Sequence, residues 1–174
     1  SLPSSPATTV TMTLAAENDL PDVTPPTSFT VMEDIPGNLQ FAGTPFVDPD
    51  SLSLTVELST LSNDDEKGSI NAASADGVTV GGTPAVRTFQ GTLANLNTFF
   101  TTAGRITYTS ALNRNSLNDH VTLVFGLDDG ELLRGDRTAE INITPVNDAP
   151  SFVLGSAWTQ RKNDVARNWK SVAS

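Results

Sequence analysis

Two Asn-Asp pairs, Asn18-Asp19 and Asn147-Asp148, each follow an alternating run, Thr11-Met12-Thr13-Leu14 and Ile141-Asn142-Ile143-Thr144, and each is soon followed by a proline, Pro21 or Pro150. Both pairs offer adjacent side-chain oxygens, and Pro145 and Pro150 restrict the backbone on either side of the second. A third oxygen-rich element, Asp48-Pro49-Asp50, has a proline between two carboxylates that a loop can aim at one point. Hard oxygens in this density suit a calcium ion, which takes six to eight of them in flexible geometry. Asp128-Asp129-Gly130 is a further acidic turn, read first as a hairpin connection and second as a donor of one ligand.

Other chemistry finds little to work with. There is a single histidine, His120, and no cysteine. No Gly-x-Ser-x-Gly element, phosphate loop or zinc-ligand spacing occurs. Carboxylate pairs can serve glycoside hydrolysis, but sugar-stacking aromatics are scarce, and Trp158 and Trp169 both fall in the last segment. The expectation is that the chain is not an enzyme. Arg134-Gly135-Asp136 is a triplet that receptors can engage on a loop tip, but a tripeptide carries little information.

The elements that must position these groups read as β. The 174 residues carry 37% hydrophobic and 6% aromatic side chains, with abundant Thr, Ser, Val, Gly and Pro and no long helical periodicity. Strands are expected at Ser28–Met32, weakly at Leu39–Phe41, at Leu52–Leu58, and near residues 68–71, 78–80 and 85–90. Others are expected at Ile106–Thr109, His120–Leu127 and Arg137–Thr144. Asn63–Gly68 reads as a hairpin tip with a solvated acid cluster. Leu93, Leu96 and Phe100 fall at helical spacing behind Thr92, a candidate N-cap, so one short helix is expected near 92–100. About seven main strands with frequent turns predict an all-β, seven-stranded Greek-key β-sandwich of cadherin/immunoglobulin-like type.

The net charge is −10, and it is uneven. Residues 1–150 hold six Lys/Arg against nineteen Asp/Glu, whereas residues 151–174 hold four Lys/Arg and one Asp. An acidic body argues against nucleic acid or an anionic membrane as partner and suits cation capture. No run of eighteen apolar residues exists, so no direct membrane insertion is expected. No signal peptide is visible, as in an internal fragment of a longer protein. Without cysteine no disulfide staples the fold. That is compatible with the cytosol or with a surface protein rigidified by metal ions, and it weakens a eukaryotic secreted reading.

Asp19 and Asp148 stand 129 positions apart, and recurrence of one junction across a domain-sized interval is the mark of an array. Residues 1–20 then read as the last strand and linker of a preceding repeat, 21–146 as one domain, and 147–174 as a linker and an altered, disordered start of the next. Its order of motifs resembles the bacterial cadherin-like repeats of large surface adhesins, including those of the repeats-in-toxin type. The resemblance rests on Phe29-Thr30-Val31-Met32-Glu33-Asp34, Asp48-Pro49-Asp50, Phe89-Gln90-Gly91-Thr92-Leu93-Ala94-Asn95-Leu96-Asn97, Ile106-Thr107-Tyr108-Thr109, Asp128-Asp129-Gly130 and the closing Ile143–Pro150.

The resemblance implies Ca2+ bound at two junctions. Asn18, Asp19, Asp48 and Asp50, with Asp129, would form an upper site. Glu33, Asn113, Asn115, Asn147 and Asp148 would form a lower one, with Asp119 as an extra member. Leu112-Asn113-Arg114-Asn115 falls where the family has Leu-Asp-Arg-Glu, so both acids of that turn are amides here, which lowers the charge of the lower site. The function implied is a calcium-binding repeat that spaces and rigidifies an adhesin on the bacterial cell surface, with neighbouring repeats of the same chain as its partners. The alternative is a carbohydrate- or protein-binding module on the same sandwich, facing a cell-surface protein or polysaccharide.

Overall fold

The alternation of apolar and polar residues in Leu54-Thr55-Val56-Glu57-Leu58 is reproduced as alternate burial, with Leu54, Val56 and Leu58 inside and Glu57 outside. The same period-two pattern organises most of the chain. The computed structural model describes residues 9–13, 17–63 and 67–148. In chain order the elements are β1 (Asp22–Val23), β2 (Ser28–Met32), β3 (Gly37–Asn38), β4 (Phe46–Val47), β5 (Ser53–Ser62), β6 (Ser69–Ala72), β7 (Thr79–Thr83), β8 (Val86–Thr92), α1 (Leu93–Thr101), β9 (Ile106–Thr109), β10 (Val121–Asp128) and β11 (Leu133–Thr144). The protein is mostly β with a single helix among the described residues, and its sheets pack together. That helix is nine residues long, and no described helix is long and apolar enough to cross a membrane.

A six-stranded sheet in the order β2-β11-β10-β5-β8-β7 carries most of the structure, beside a three-stranded sheet β3-β9-β6 and the short pair β1-β4. All pairings are antiparallel except β11 with β2, which is parallel. Between the layers lies one apolar cluster. Phe29, Phe89 and Phe125 come from the large sheet, Phe41 and Phe46 from the segment around β4, and Phe99 and Phe100 from α1. The rings meet edge to face, with Phe46 and Phe100 centroids 4.7 Å apart and Phe89 and Phe100 5.0 Å apart, a geometry aromatic quadrupoles favour. Helix α1 begins as its sequence predicts: Thr92 Oγ1 accepts the Asn95 N–H at the N-cap.

Several expectations shift. Leu39 and Phe41 form no strand. Both are buried, and their N–H groups donate to the Ile106 and Phe100 carbonyls outside any ladder, while the strand itself is the preceding pair Gly37–Asn38. Among residues 11–14, the described positions 11–13 carry no strand, for a strand is defined by its pairing and they have none. The last strand starts at Leu133, four residues early, because it pairs with Asp128 and Leu127 across an irregularity at Gly126. Residues 64–66 of the hairpin tip and 149–174 lie outside the described residues.

The register fixes two opposite ends. Asp128 pairs with Thr55 and Leu133, so the start of β5, the end of β10 and the start of β11 share one end. Val121 pairs with Ser62 and Ile141, and Thr144 with Met32, so those residues share the other. Eleven steps of β11 separate the ends by on the order of 35 Å. Residues 18–19 approach the first, here the leading end, and residues 145–148 depart from the second, the trailing end.

Candidate cation site and linker junctions

At the leading end, the loops before β5 and between β10 and β11 fold around their own carboxylates. Asp48 Oδ1 accepts the N–H groups of Asp50 (2.9 Å) and Ser51 (2.8 Å). Asp129 Oδ1 accepts those of Glu131 and Leu132, both at 2.7 Å. Each is an Asx-type turn, the ordinary use of such residues, and Asp128 does the same for Gly130. Asp129 Oδ2 and Asp50 Oδ2 take the incoming residues 18 and 19. Asn18 donates from Nδ2 to Asp129 Oδ2 at 2.7 Å, and the Asp19 N–H donates to Asp50 Oδ2 at 2.8 Å. The five residues expected in the upper set therefore meet at one end, joined by contacts 111 and 31 residues apart in sequence. The N–H groups of Leu132 and Glu131 and the Asn18 amide hold the Asp129 carboxyl below its ordinary pKa.

One atom breaks the pattern. Asp48 Oδ2 is buried and accepts no hydrogen bond among the described residues. A buried carboxylate oxygen without a partner is costly, and a cation is the partner that an acidic loop can attract. Beyond it, the Asp19 carboxylate is exposed and the Asn18 carbonyl oxygen is turned away from Asp129 by the amide's own donation. The carboxylate oxygens here are hard donors of the kind calcium takes, while Asn18 and Asp19 present N–H groups to Asp129 and Asp50 and would have to turn their side-chain oxygens inward to join them. No group of three or more His, Cys, Asp or Glu side chains that could hold a metal ion occurs among the described residues, so amide and main-chain oxygens or waters would have to complete the shell.

Just behind this site, the linker is fastened by charge. Asp22 receives Arg137 Nε and Nη2, each at 3.0 Å, and Arg134 Nη1 at 2.9 Å, while Arg134 also donates to the Pro21 carbonyl. The hydrogen bond from Arg137 leads in lowering the Asp22 pKa, and Asp22 in turn raises that of Arg137. The Arg-Gly-Asp triplet lies inside β11, and Arg134 is drawn back onto Asp22 and Asp136. Sequence reasoning passed over Asp22, Arg134 and Arg137 as a unit, because their contact spans more than a hundred residues and has no local signature.

The trailing end uses similar residues differently. Glu33, only 3% exposed, receives Asn115 Nδ2 on both carboxylate oxygens (3.2 and 3.1 Å) and the Val146 N–H on Oε2 (3.0 Å). Asp34, in the left-handed region at φ 59°, accepts the Asn113 N–H and donates its own N–H to Ser110 Oγ. Asn115 Oδ1 accepts the Leu117 N–H, Asn118 Oδ1 accepts the Asn115 N–H, and Ser116 exchanges hydrogen bonds with Ile143.

Of the expected lower set, Glu33 and Asn115 are brought together. The Asn113 side chain joins neither of them. Asn147 and Asp148 are exposed and make no hydrogen bond among the described residues. Asp119 is buried but committed elsewhere, to Ser62 Oγ and the Asn63 N–H. Asp34, Ser110, Ser116 and Asn118 went unassigned in the sequence. The Glu33-Asp34 pair was the available signal for the first, and the others act through turn geometry that single residues do not announce.

No family model matches the chain, and no curated protein matches it.

Proposed function

We propose that residues 21–146 form a cadherin-like, Greek-key β-sandwich repeat of a bacterial surface adhesin, and that calcium bound at the leading end stiffens the joint with the preceding unit. The observation that carries the reading is Asp48 Oδ2, a buried carboxylate oxygen with no partner among the described residues, in the same loop as Asp50, which already holds the linker at Asp19. An ion there would neutralise Asp48 and Asp50 together and draw in Asn18 and Asp19, adding to the hydrogen bonds that already hold them. Linkers at opposite ends of the strands support a head-to-tail rod, in which each domain adds length as well as mass.

The calcium reading predicts a calcium-selective rise in melting temperature over chelator, with equimolar magnesium giving less because it demands tighter octahedral geometry. Asp48→Asn should abolish that rise. An unchanged melting temperature of the wild-type chain at millimolar calcium would sink the proposal. The alternative of a carbohydrate platform draws no support from the described aromatic side chains, which are all buried.

A further inference from the structure

A carboxylate buried to the degree of Glu33 requires compensation, since an isolated charge in the interior is among the most costly groups a fold can hold. Cation binding is one remedy, and the resemblance above leads one to expect it here. The geometry offers a different one. No described Lys, Arg or His pairs with Glu33; both of its oxygens face N–H donors, two interactions from one Asn115 carboxamide and one from the Val146 main chain. The direction of that carboxamide is fixed, because Asn115 Oδ1 is already occupied by the Leu117 N–H at 3.0 Å. The backbone of Asn115 is fixed as well: its N–H donates to Asn118 Oδ1 and its carbonyl accepts from Asn118 and Asp119.

A cation at this place needs oxygens turned towards it, yet Asn115 presents nitrogen. Turning the amide over would break the Leu117 bond and both contacts to Glu33 at once. We infer that the trailing end is closed by a metal-independent lock, in which the Asn115 carboxamide takes the place of a cation on Glu33 and Glu33 holds the departing linker at Val146. The lock joins three segments far apart in sequence: the end of β2, the 111–119 turn and the linker after β11, with separations of 82 and 113 residues. It makes the domain asymmetric. Calcium, where it acts, governs the leading joint, and the trailing linker stays seated without it.

The test is amide hydrogen exchange on the whole 174-residue chain, in chelator and in millimolar calcium, read at Val146 and at Asp19, Asp50 and Ser51. The Val146 amide should be protected in chelator and change by less than about twofold when calcium is added. Asn115→Asp should lower that protection about tenfold or more in chelator, by setting two carboxylates face to face, and calcium should restore it by bridging them. Val146 protection that appears in the wild-type chain only with calcium would overturn the lock, as would an Asn115→Asp chain whose Val146 amide is as protected in chelator as the wild type. Should that variant fail to fold, the wild-type comparison alone still decides. The inference does not rest on the calcium reading: unresponsive amides at Asp19, Asp50 and Ser51 count against a leading-end ion and leave the Val146 result standing.

Discussion

The two ends of this domain meet the same problem, carboxylates gathered where a linker joins the fold, and answer it with different partners. At the leading end, Asp48 and Asp129 each satisfy one oxygen through their own turn, while Asp50 and Asp129 take the linker. Asp48 Oδ2 is left buried and without a donor among the described residues. At the trailing end, Glu33 is more deeply buried and yet fully engaged, by Asn115 and Val146. The first arrangement keeps charge available for an ion, and the second consumes it in hydrogen bonds to a neutral amide. The lesson is that acid count does not identify a cation site. What identifies one is whether the oxygens still lack donors once the local turns have been made. With the ends on the order of 35 Å apart and a Debye length near 8 Å at physiological salt, they should behave independently and their perturbations should add.

The largest expected effect falls on the trailing end. Glu33→Ala strips the Asn115 amide and the Val146 N–H of their acceptor inside the fold. It should cost about 2–4 kcal/mol, equal in chelator and in calcium by chemical denaturation. A loss that calcium repairs would break the comparison.

Next comes an alkaline limb that belongs to the same end. Burial, with Asp119 adding a like charge, pushes the Tyr108 hydroxyl up to about 12. The Tyr108 hydroxyl lies over the Gly68 backbone without a well-formed hydrogen bond. Because the folded-state pKa lies above the unfolded value near 10, stability is intact below pH 10 and is lost as pH rises towards 12. That loss should come to roughly 2–3 kcal/mol. Tyr108→Phe should flatten that limb of the pH–stability curve, and an unaltered limb would assign the effect to other groups.

A smaller effect tests the leading end. Asp48→Asn should remove a calcium-dependent gain of about 0.4–1.4 kcal/mol at about 1 mM ion, the size expected for a dissociation constant of roughly 10⁻⁴–10⁻³ M. It should leave the stability in chelator unchanged or slightly higher, since a bare buried carboxylate has been neutralised. Equal losses with and without calcium would make Asp48 a plain turn residue.

The smallest is acid-side. The hydrogen bond from Arg137 depresses the Asp22 pKa, so its contribution is present above the unfolded carboxylate value and disappears as pH falls through the lower folded value. With the Asp22 side chain about a third exposed (35%), solvent screening limits this to under about 1 kcal/mol. Asp22→Asn should show that loss at neutral pH and a smaller further fall below about pH 4, the remainder coming from Asp129, whose pKa is lowered as well. The wild-type acid limb should therefore report the leading end and the alkaline limb the trailing one.

Much of the β architecture was legible because its cause is local. Alternation in Leu54–Leu58 and Ile106–Thr109 dictates which side chains turn inward, and Thr92 placed ahead of Leu93, Leu96 and Phe100 dictates a capped helix. Residue type also disclosed that Asn18, Asp19, Asp48, Asp50, Asp129 and Glu33 carry side-chain oxygens. Sequence alone did not determine which oxygens would be used up. Asn115 looks like a weakened ligand in the sequence. In the fold its amide nitrogen faces Glu33, because an Asx turn to Leu117 claims its oxygen. Leu39–Phe41 reads as a strand and is spent as core. Arg134 reads as part of a display motif and is spent on Asp22. The turn to Leu117 is local, but Glu33, the core partners of Leu39 and Phe41, and Asp22 lie tens to more than a hundred residues from the side chains they meet, and only closing the sheets supplies them. The sequence by itself set the pattern of burial and the supply of donors and acceptors. The tertiary structure alone decided their pairing, leaving a buried carboxylate oxygen at the leading end without a donor among the described residues and supplying both of those on Glu33.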